Sequence, residues 1–352
     1  MSTVAPTPAK MDRSAMVQLY GELEADEGAH EFVTMKDGWT LHTETWVPNV
    51  PAKAVVLFAH GGAESTRTLG VRRLAHAFTQ RGIVLATYDQ YGHGESMQKN
   101  GKQFGKLGFR GGLRDAGYGQ FDAHYVEIAE HVIEKHRLPF IMSGHSLGGT
   151  AACMATDAVI TKCEALGVPF VTALYLAPGL GNLKDMNPCG SLACCRCCCI
   201  GIWACCLCNC CGQPCISIKE NVNPGEVLGP DNTGKYLNLG GFSPMGVEAK
   251  PYPQGSADLP DAVARMTKLQ EGLAFAGSKD SLNGKKTKML ADALPALKYE
   301  EYPGLPHHVL NMNNEGDDSS VKVAERLASF VEEKAAYALA LSSTTSEIYF
   351  LC

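Results

Sequence analysis

The stretch FIMSGHSLGGTAAC runs from Phe140 to Cys153, and its reading decides the fold. A continuous apolar run is followed at once by Gly144-His145-Ser146-Leu147-Gly148, a Gly-x-Ser-x-Gly pattern, and then by small residues that open a helix. A serine at such a sharp strand-to-helix turn takes strained backbone angles, so the positions two before and two after it must lack a side chain. The hydroxyl is then presented above a sheet edge, with a helix N-terminus behind it.

Working outward, the runs AVVLFAH (Ala54 to His60), IVLATYD (Ile83 to Asp89) and VTALYLAP (Val171 to Pro178) are apolar throughout, the signature of strands buried on both faces. Helical stretches lie between them at Leu69 to Arg81, Gln120 to Arg137 and Leu147 to Cys163. This alternation implies a parallel sheet with right-handed crossovers. Upstream, EFVTMKDGWTLHTETWVP carries two alternating runs around Lys36-Asp37-Gly38, which predicts an antiparallel hairpin whose Asp-Gly pair takes positive φ. Past a long interruption, GLAFAGSKD and ALKYEEYPG supply a seventh and an eighth strand, and a terminal helix is expected from Ser319 to about Leu339.

The fold class expected is therefore α/β, a mostly parallel eight-stranded sheet flanked by helices, with an inserted cap after the sixth strand. The organisation expected is a flexible N-terminal arm at 1–30, a first half of the core at 31–180, a Cys-rich cap insertion at 181–260, a second half of the core at 261–340 and a tail at 341–352. At 352 residues and 45% apolar content the chain can bury a full core. The net charge of −6 comes without long blocks of one sign, so no nucleic-acid partner is expected. The first twenty residues hold no apolar run long enough for a secretory signal, which points to a cytoplasmic location.

A nucleophilic serine needs an oxyanion hole, an acid and a base. The backbone N–H of Leu147, directly after Ser146, supplies one donor. The turn His60-Gly61-Gly62 after the third strand supplies the other from Gly62, because glycine lets the backbone approach a ligand. The acid and base should follow in chain order at the ends of later strands. Asp280 lies just past the seventh strand, whereas Asp258, Asp261 and Asp292 fall in loop or helix contexts. The base is one of two adjacent histidines, His307 and His308, after the eighth strand, and spacing alone does not choose between them.

The stretches DGWTLHTETWVP, FAHGGAEST, YDQYGHGES, GHSLGG, FAGSKD and HHVLNM resemble the monoglyceride lipase and lysophospholipase branch of the α/β-hydrolases, also described as serine aminopeptidase-like, from roughly Glu31 to Leu339. The resemblance implies Ser146 as nucleophile, Asp280 as acid, and the N–H groups of Gly62 and Leu147 as the oxyanion hole. It implies His308 as base, because the family's histidine directly precedes Val-Leu. It makes Gly92 to Ser96 an architectural turn, with His93 structural. It also implies a cap over an apolar acyl tunnel, although the cap text of this chain does not match.

These residues together predict a serine esterase acting on a lipid ester, a monoacylglycerol or lysophospholipid, with no metal or organic cofactor. A carboxylesterase, thioesterase or aminopeptidase-like enzyme would use the same triad. A reading of another class is a lipidated membrane scaffold with a vestigial core. That reading draws on the segment from Cys189 to Cys215, which holds 12 of the 15 cysteines. Its two C-x-x-C pairs are too closely spaced for a zinc ribbon, and no histidine accompanies them. Their apolar, nearly uncharged company at Leu192, Ile200, Ile202, Trp203 and Leu207 favours S-acylation of Cys194, Cys195, Cys197, Cys198, Cys199, Cys205, Cys206, Cys208, Cys210 and Cys211, and a cap that docks on a membrane surface.

Overall fold

In the computed structural model, residues 28–62, 64–91, 93–100, 118–180, 259–280, 283–310 and 318–349 are described. The ten cysteines expected to be acylated, and nearly all of the expected cap, lie outside them.

The strands are β1 (Ala29–Thr34), β2 (Thr40–Trp46), β3 (Ala54–Ala59), β4 (Ile83–Tyr88), β5 (Phe140–His145), β6 (Phe170–Leu176), β7 (Gly272–Gly277) and β8 (Leu297–Tyr302). They form one eight-stranded sheet in the order β1-β2-β4-β3-β5-β6-β7-β8. β1 pairs with β2 and β2 with β4 antiparallel, and every other pairing is parallel. The described helices are α1 (Leu69–Thr79), α2 (Gly94–Lys99), α3 (Tyr118–His136), α4 (Ser146–Leu166), α5 (Leu259–Ala264), α6 (Gly284–Ala293) and α7 (Ser319–Tyr349).

Strands β3, β4, β5 and β7 are buried along their whole length, which is why their text is apolar without alternation. Their side chains still divide by parity. Val55, Leu57 and Ala59 join Tyr125, Ile128 and Ile133 of α3 and Ala151, Ala152 and Ala155 of α4 in one core. Val56 and Phe58 join Val71, Leu74 and Phe78 of α1 and Leu327 and Val331 of α7 in the other. Each large apolar side chain buried this way stabilises the fold by about 1.5–3 kcal/mol.

Two details differ from the sequence reading. In the hairpin, Gly38 alone of the Asp-Gly pair has positive φ, at 89°, and its N–H donates to the Met35 carbonyl at 2.9 Å. Asp37 instead turns its carboxylate back to the Trp39 N–H at 3.0 Å, so the connection is a turn closed by a left-handed glycine. The terminal helix runs to Tyr349, beyond its expected end near Leu339.

Because β3, β5, β7 and β8 are parallel, their C-terminal ends lie on one edge of the sheet. The segments that leave those ends carry His60 to Gly62, Ser146, Asp280 and His307-His308. That is the edge at which open α/β sheets build their sites.

Candidate active site

Ser146 is the first residue of α4 and has φ +50°, a left-handed conformation unusual for a residue with a side chain. The two glycines of the pattern are required by contact. A Cβ on Gly144 would run into the Gly148 carbonyl, and one on Gly148 into the carbonyls of Ala59 and His60. The Gly148 N–H donates to the His60 carbonyl at 3.1 Å, which ties the serine turn to the loop after β3. Ser146 and Leu147 are both half-buried and so remain open to a substrate. Leu147, in the first turn of α4, presents a backbone N–H that has no partner within the helix.

His307 Nε2 lies 2.8 Å from Ser146 Oγ, and its Nδ1 lies 3.0 Å from Asp280 Oδ2. The second Asp280 oxygen, Oδ1, accepts the Asn283 backbone N–H at 2.9 Å. Asn283 Nδ2 in turn donates to the Ala177 carbonyl at 2.9 Å, where Ala177 has φ +44° at the end of β6. Asp280 is thereby pinned between the ends of β6 and β7.

The structure brings His307 to Ser146, where the sequence reading had expected His308. His308 directs Nδ1 at Glu64 Oε1, 2.7 Å away. The cause lies downstream in the chain: Val309 and Leu310 are buried in the core beside α1 and α7, the Leu310 carbonyl accepts Arg73 Nη1 at 2.6 Å, and the Val309 N–H turns back to the His307 carbonyl at 3.0 Å. With Val309 and Leu310 held there, it is His307 that reaches the serine. Of the rival acids, Asp261 sits in α5, Asp292 pairs with Lys288 on the surface at 2.7 Å, and Asp258 lies outside the described residues.

Glu64 and His145 have no part in the roles expected from sequence, yet both stand in the site. Glu64 accepts the Gly61 N–H at 2.5 Å and faces His145 Nδ1 at 3.3 Å. Burial works against the Glu64 charge, but the charge and hydrogen bond of His145, with the hydrogen bond of His308, outweigh it and hold the carboxyl well below the usual range. Burial likewise opposes charge on His145, and the Glu64 carboxylate more than compensates, raising its pKa. His308 goes the other way: burial dominates and pushes it down to about 4, so it is neutral. The ligand atoms of Glu64, His145 and His308 lie within 4.8 Å of one another, the spacing of a possible metal site, and in this structure they are spent on one another. A sequence signal did exist for Glu64, in the HG-x-x-E stretch of the family resemblance, but it carried no role.

A deeper layer holds the loop after β3. Asp89 accepts the N–H groups of Thr66 and Glu95, each at 2.8 Å, and meets His42 Nδ1 at 2.9 Å. The Gln90 N–H donates to His60 Nε2 at 3.1 Å. His93 packs against His60 with ring centroids 5.1 Å apart and meets the Tyr91 carbonyl at 2.9 Å.

Residues 50–177 match the family model described as serine aminopeptidase, S33. The chain has the α/β-hydrolase fold. It superposes on a thermostable carboxyl esterase from Bacillus coagulans with TM-score 0.59 at 16% identity, covering 88% of this chain and 100% of that one. A monoglyceride lipase from Saccharomyces cerevisiae gives TM-score 0.59 at 17% identity, over 94% of this chain and 99% of that one. A proline iminopeptidase from Mycobacterium smegmatis gives 0.56 at 14%, over 88% and 100%. No curated protein sequence matches the chain. At these identities the structural likeness establishes the shared fold alone. Among the described residues no helix is long and apolar enough to cross a membrane.

Proposed function

We propose that this α/β-hydrolase is a serine esterase that cleaves the carboxylic ester of a monoacylglycerol or lysophospholipid through an acyl-enzyme on Ser146. The observation that carries the reading is the unbroken line from Asp280 Oδ2 through His307 to Ser146 Oγ, with contacts of 3.0 and 2.8 Å. Asp280 accepts the Nδ1–H of His307, so Nε2 bears the lone pair that faces the serine hydroxyl. As Ser146 Oγ attacks the ester carbonyl, its proton passes to Nε2. The N–H groups of Gly62 and Leu147 take the oxyanion of the tetrahedral intermediate. Collapse breaks the bond to the alcohol, which leaves with the proton from His307. Water then attacks the acyl-serine while His307 accepts its proton, and collapse releases the fatty acid and restores Ser146.

A lipid ester is favoured because the family resemblance is strongest to monoglyceride lipases and because the yeast monoglyceride lipase shares the fold over nearly the whole chain. A second reading, cleavage of an N-terminal amide, has the serine aminopeptidase family model and the likeness to proline iminopeptidase behind it. Parallel assays on 2-monooleoylglycerol, lysophosphatidylcholine, p-nitrophenyl esters from acetate to palmitate, and proline p-nitroanilide separate the two, with Ser146→Ala as control. Burial of each CH₂ contributes about 0.8 kcal/mol, so kcat/KM should climb along the ester series. A flat or falling series, or faster cleavage of the anilide, would refute the lipid reading.

A further inference from the structure

The residue directly before the nucleophile has contacts that fix its proton count. His145 Nε2 lies 3.0 Å from the His307 carbonyl oxygen, and Nδ1 lies 3.3 Å from Glu64 Oε2. Both neighbours can only accept, so both ring nitrogens carry hydrogen and the ring is an imidazolium. Its counter-charge, Glu64, is buried with it and also accepts from Gly61 and His308. The charged and titratable groups around the pair come from four elements: His60 at the end of β3, His93 just before α2, Asp280 after β7, and His307 and His308 after β8.

Three loops therefore meet at one ion pair. Glu64 holds the backbone of Gly61, the neighbour of the proposed oxyanion donor Gly62. His145 holds the backbone of His307, the proposed base. The fit is close, since a Cβ on Gly61 would come within 2.7 Å of His145 Nδ1 and 2.9 Å of Glu64 Oε2. We infer that Glu64 and His145 form a buried ion-pair brace that sets the oxyanion loop against the base-bearing loop, and that they are positioning residues for the transition state. The inference rests on the proposed serine-hydrolase chemistry. Its physical basis is that preorganised donors stabilise a transition state only when held where the oxyanion forms, and a misplacement of about 1 Å costs on the order of 100-fold in rate.

The test compares the full-length parent with Glu64→Gln, which keeps size and removes charge, and with His145→Gln, which removes the charge from the other side. A fluorophosphonate taken to its end point counts competent sites in each preparation, so that rates refer to folded molecules. Per labelled site, kcat should fall roughly 10- to 100-fold, with KM within about threefold of the parent. Affinity for a trifluoromethyl ketone, which mimics the tetrahedral intermediate, should weaken in step with kcat/KM. In the parent, kcat should decline at alkaline pH as His145 loses its proton, and Glu64→Gln should move that decline to lower pH. A merely structural pair would change melting temperature and labelled fraction while leaving kcat per site, ketone affinity and the alkaline limb where they were, and that result would overturn the brace. A loss confined to KM would overturn it as well. If the parent itself takes no label, the hydrolase reading fails first, and that outcome is distinct from a labelled parent with indifferent variants.

Discussion

Adjacent in the chain, His307 and His308 hold their rings 82° apart and serve different carboxylates: His307 Nδ1 meets Asp280 at 3.0 Å and His308 Nδ1 meets Glu64 at 2.7 Å. The other nitrogen of His307 faces Ser146, 2.8 Å away. One short loop thus joins the proposed base to the proposed support of the oxyanion loop.

Replacing the two histidines separately should therefore give unequal losses. His307→Ala removes the proposed acceptor of the Ser146 proton, and kcat/KM should fall by about 10⁴-fold or more. His308→Ala removes one of several donors to Glu64 and should cost roughly tenfold, since the rest of the support stays in place. Steady-state kinetics on one p-nitrophenyl ester ranks them. The reverse order would restore the family's His-Val-Leu pattern as the guide.

Asn283→Ala keeps the backbone N–H that holds Asp280 Oδ1 and deletes the amide that holds the Ala177 carbonyl. A buried carbonyl left without its donor costs about 1–3 kcal/mol. Denaturant unfolding should show that loss, with kcat reduced by less than about tenfold because the triad contacts survive. Unchanged stability would mean that the Ala177 contact contributes nothing.

Stability should decline as pH falls from about 6.5 towards 4. Burial is the main cause that pushes His93 and His308 down to about 4 in the folded protein, whereas the unfolded chain takes up those protons near 6.5. A depressed histidine pKa favours unfolding below the unfolded value, by about 3 kcal/mol for each group once both steps are passed. His42 and His145 have raised values, so what they contribute is complete below about 6.5 and is lost only as pH rises through those raised values. Thermal melts across this range check the sign, and a melting temperature that rises on acidification would contradict it.

The cysteines from Cys194 to Cys211 should carry thioester-linked acyl groups when the protein is made in cells. Hydroxylamine-sensitive acyl exchange reads this directly, with a Cys-to-Ser cluster variant as control. No exchange, or an unchanged membrane partition in the variant, would reject the S-acylated cap.

The parallel strands were legible because burial on both faces leaves an unbroken apolar text, as in Ala54–Ala59, and because Gly144 and Gly148 flank a serine where a turn between strand and helix demands them. Asp280 was legible from its place after a strand. His307 was not, because which of two neighbours faces the serine depends on where Val309 and Leu310 are buried and on the pull of Glu64, a residue 244 positions from His308. Glu64 and His145 are 81 positions apart, and no local pattern announces their pairing. The terminal helix continues through Ser342 to Ser346, a run poor in helix formers, so the observed helix overrides that propensity.

Fluorophosphonate labelling followed by peptide mass mapping tests the central claim most directly, because the reagent forms a covalent bond only with a serine activated as this geometry requires. The parent should carry one phosphonyl adduct on Ser146, Ser146→Ala should carry none, His307→Ala should react at a small fraction of the parental rate, and His308→Ala should still be labelled. An unlabelled parent, an adduct on another residue, or labelling that survives His307→Ala and is abolished by His308→Ala would contradict the assignment of Ser146, His307 and Asp280 as the catalytic triad.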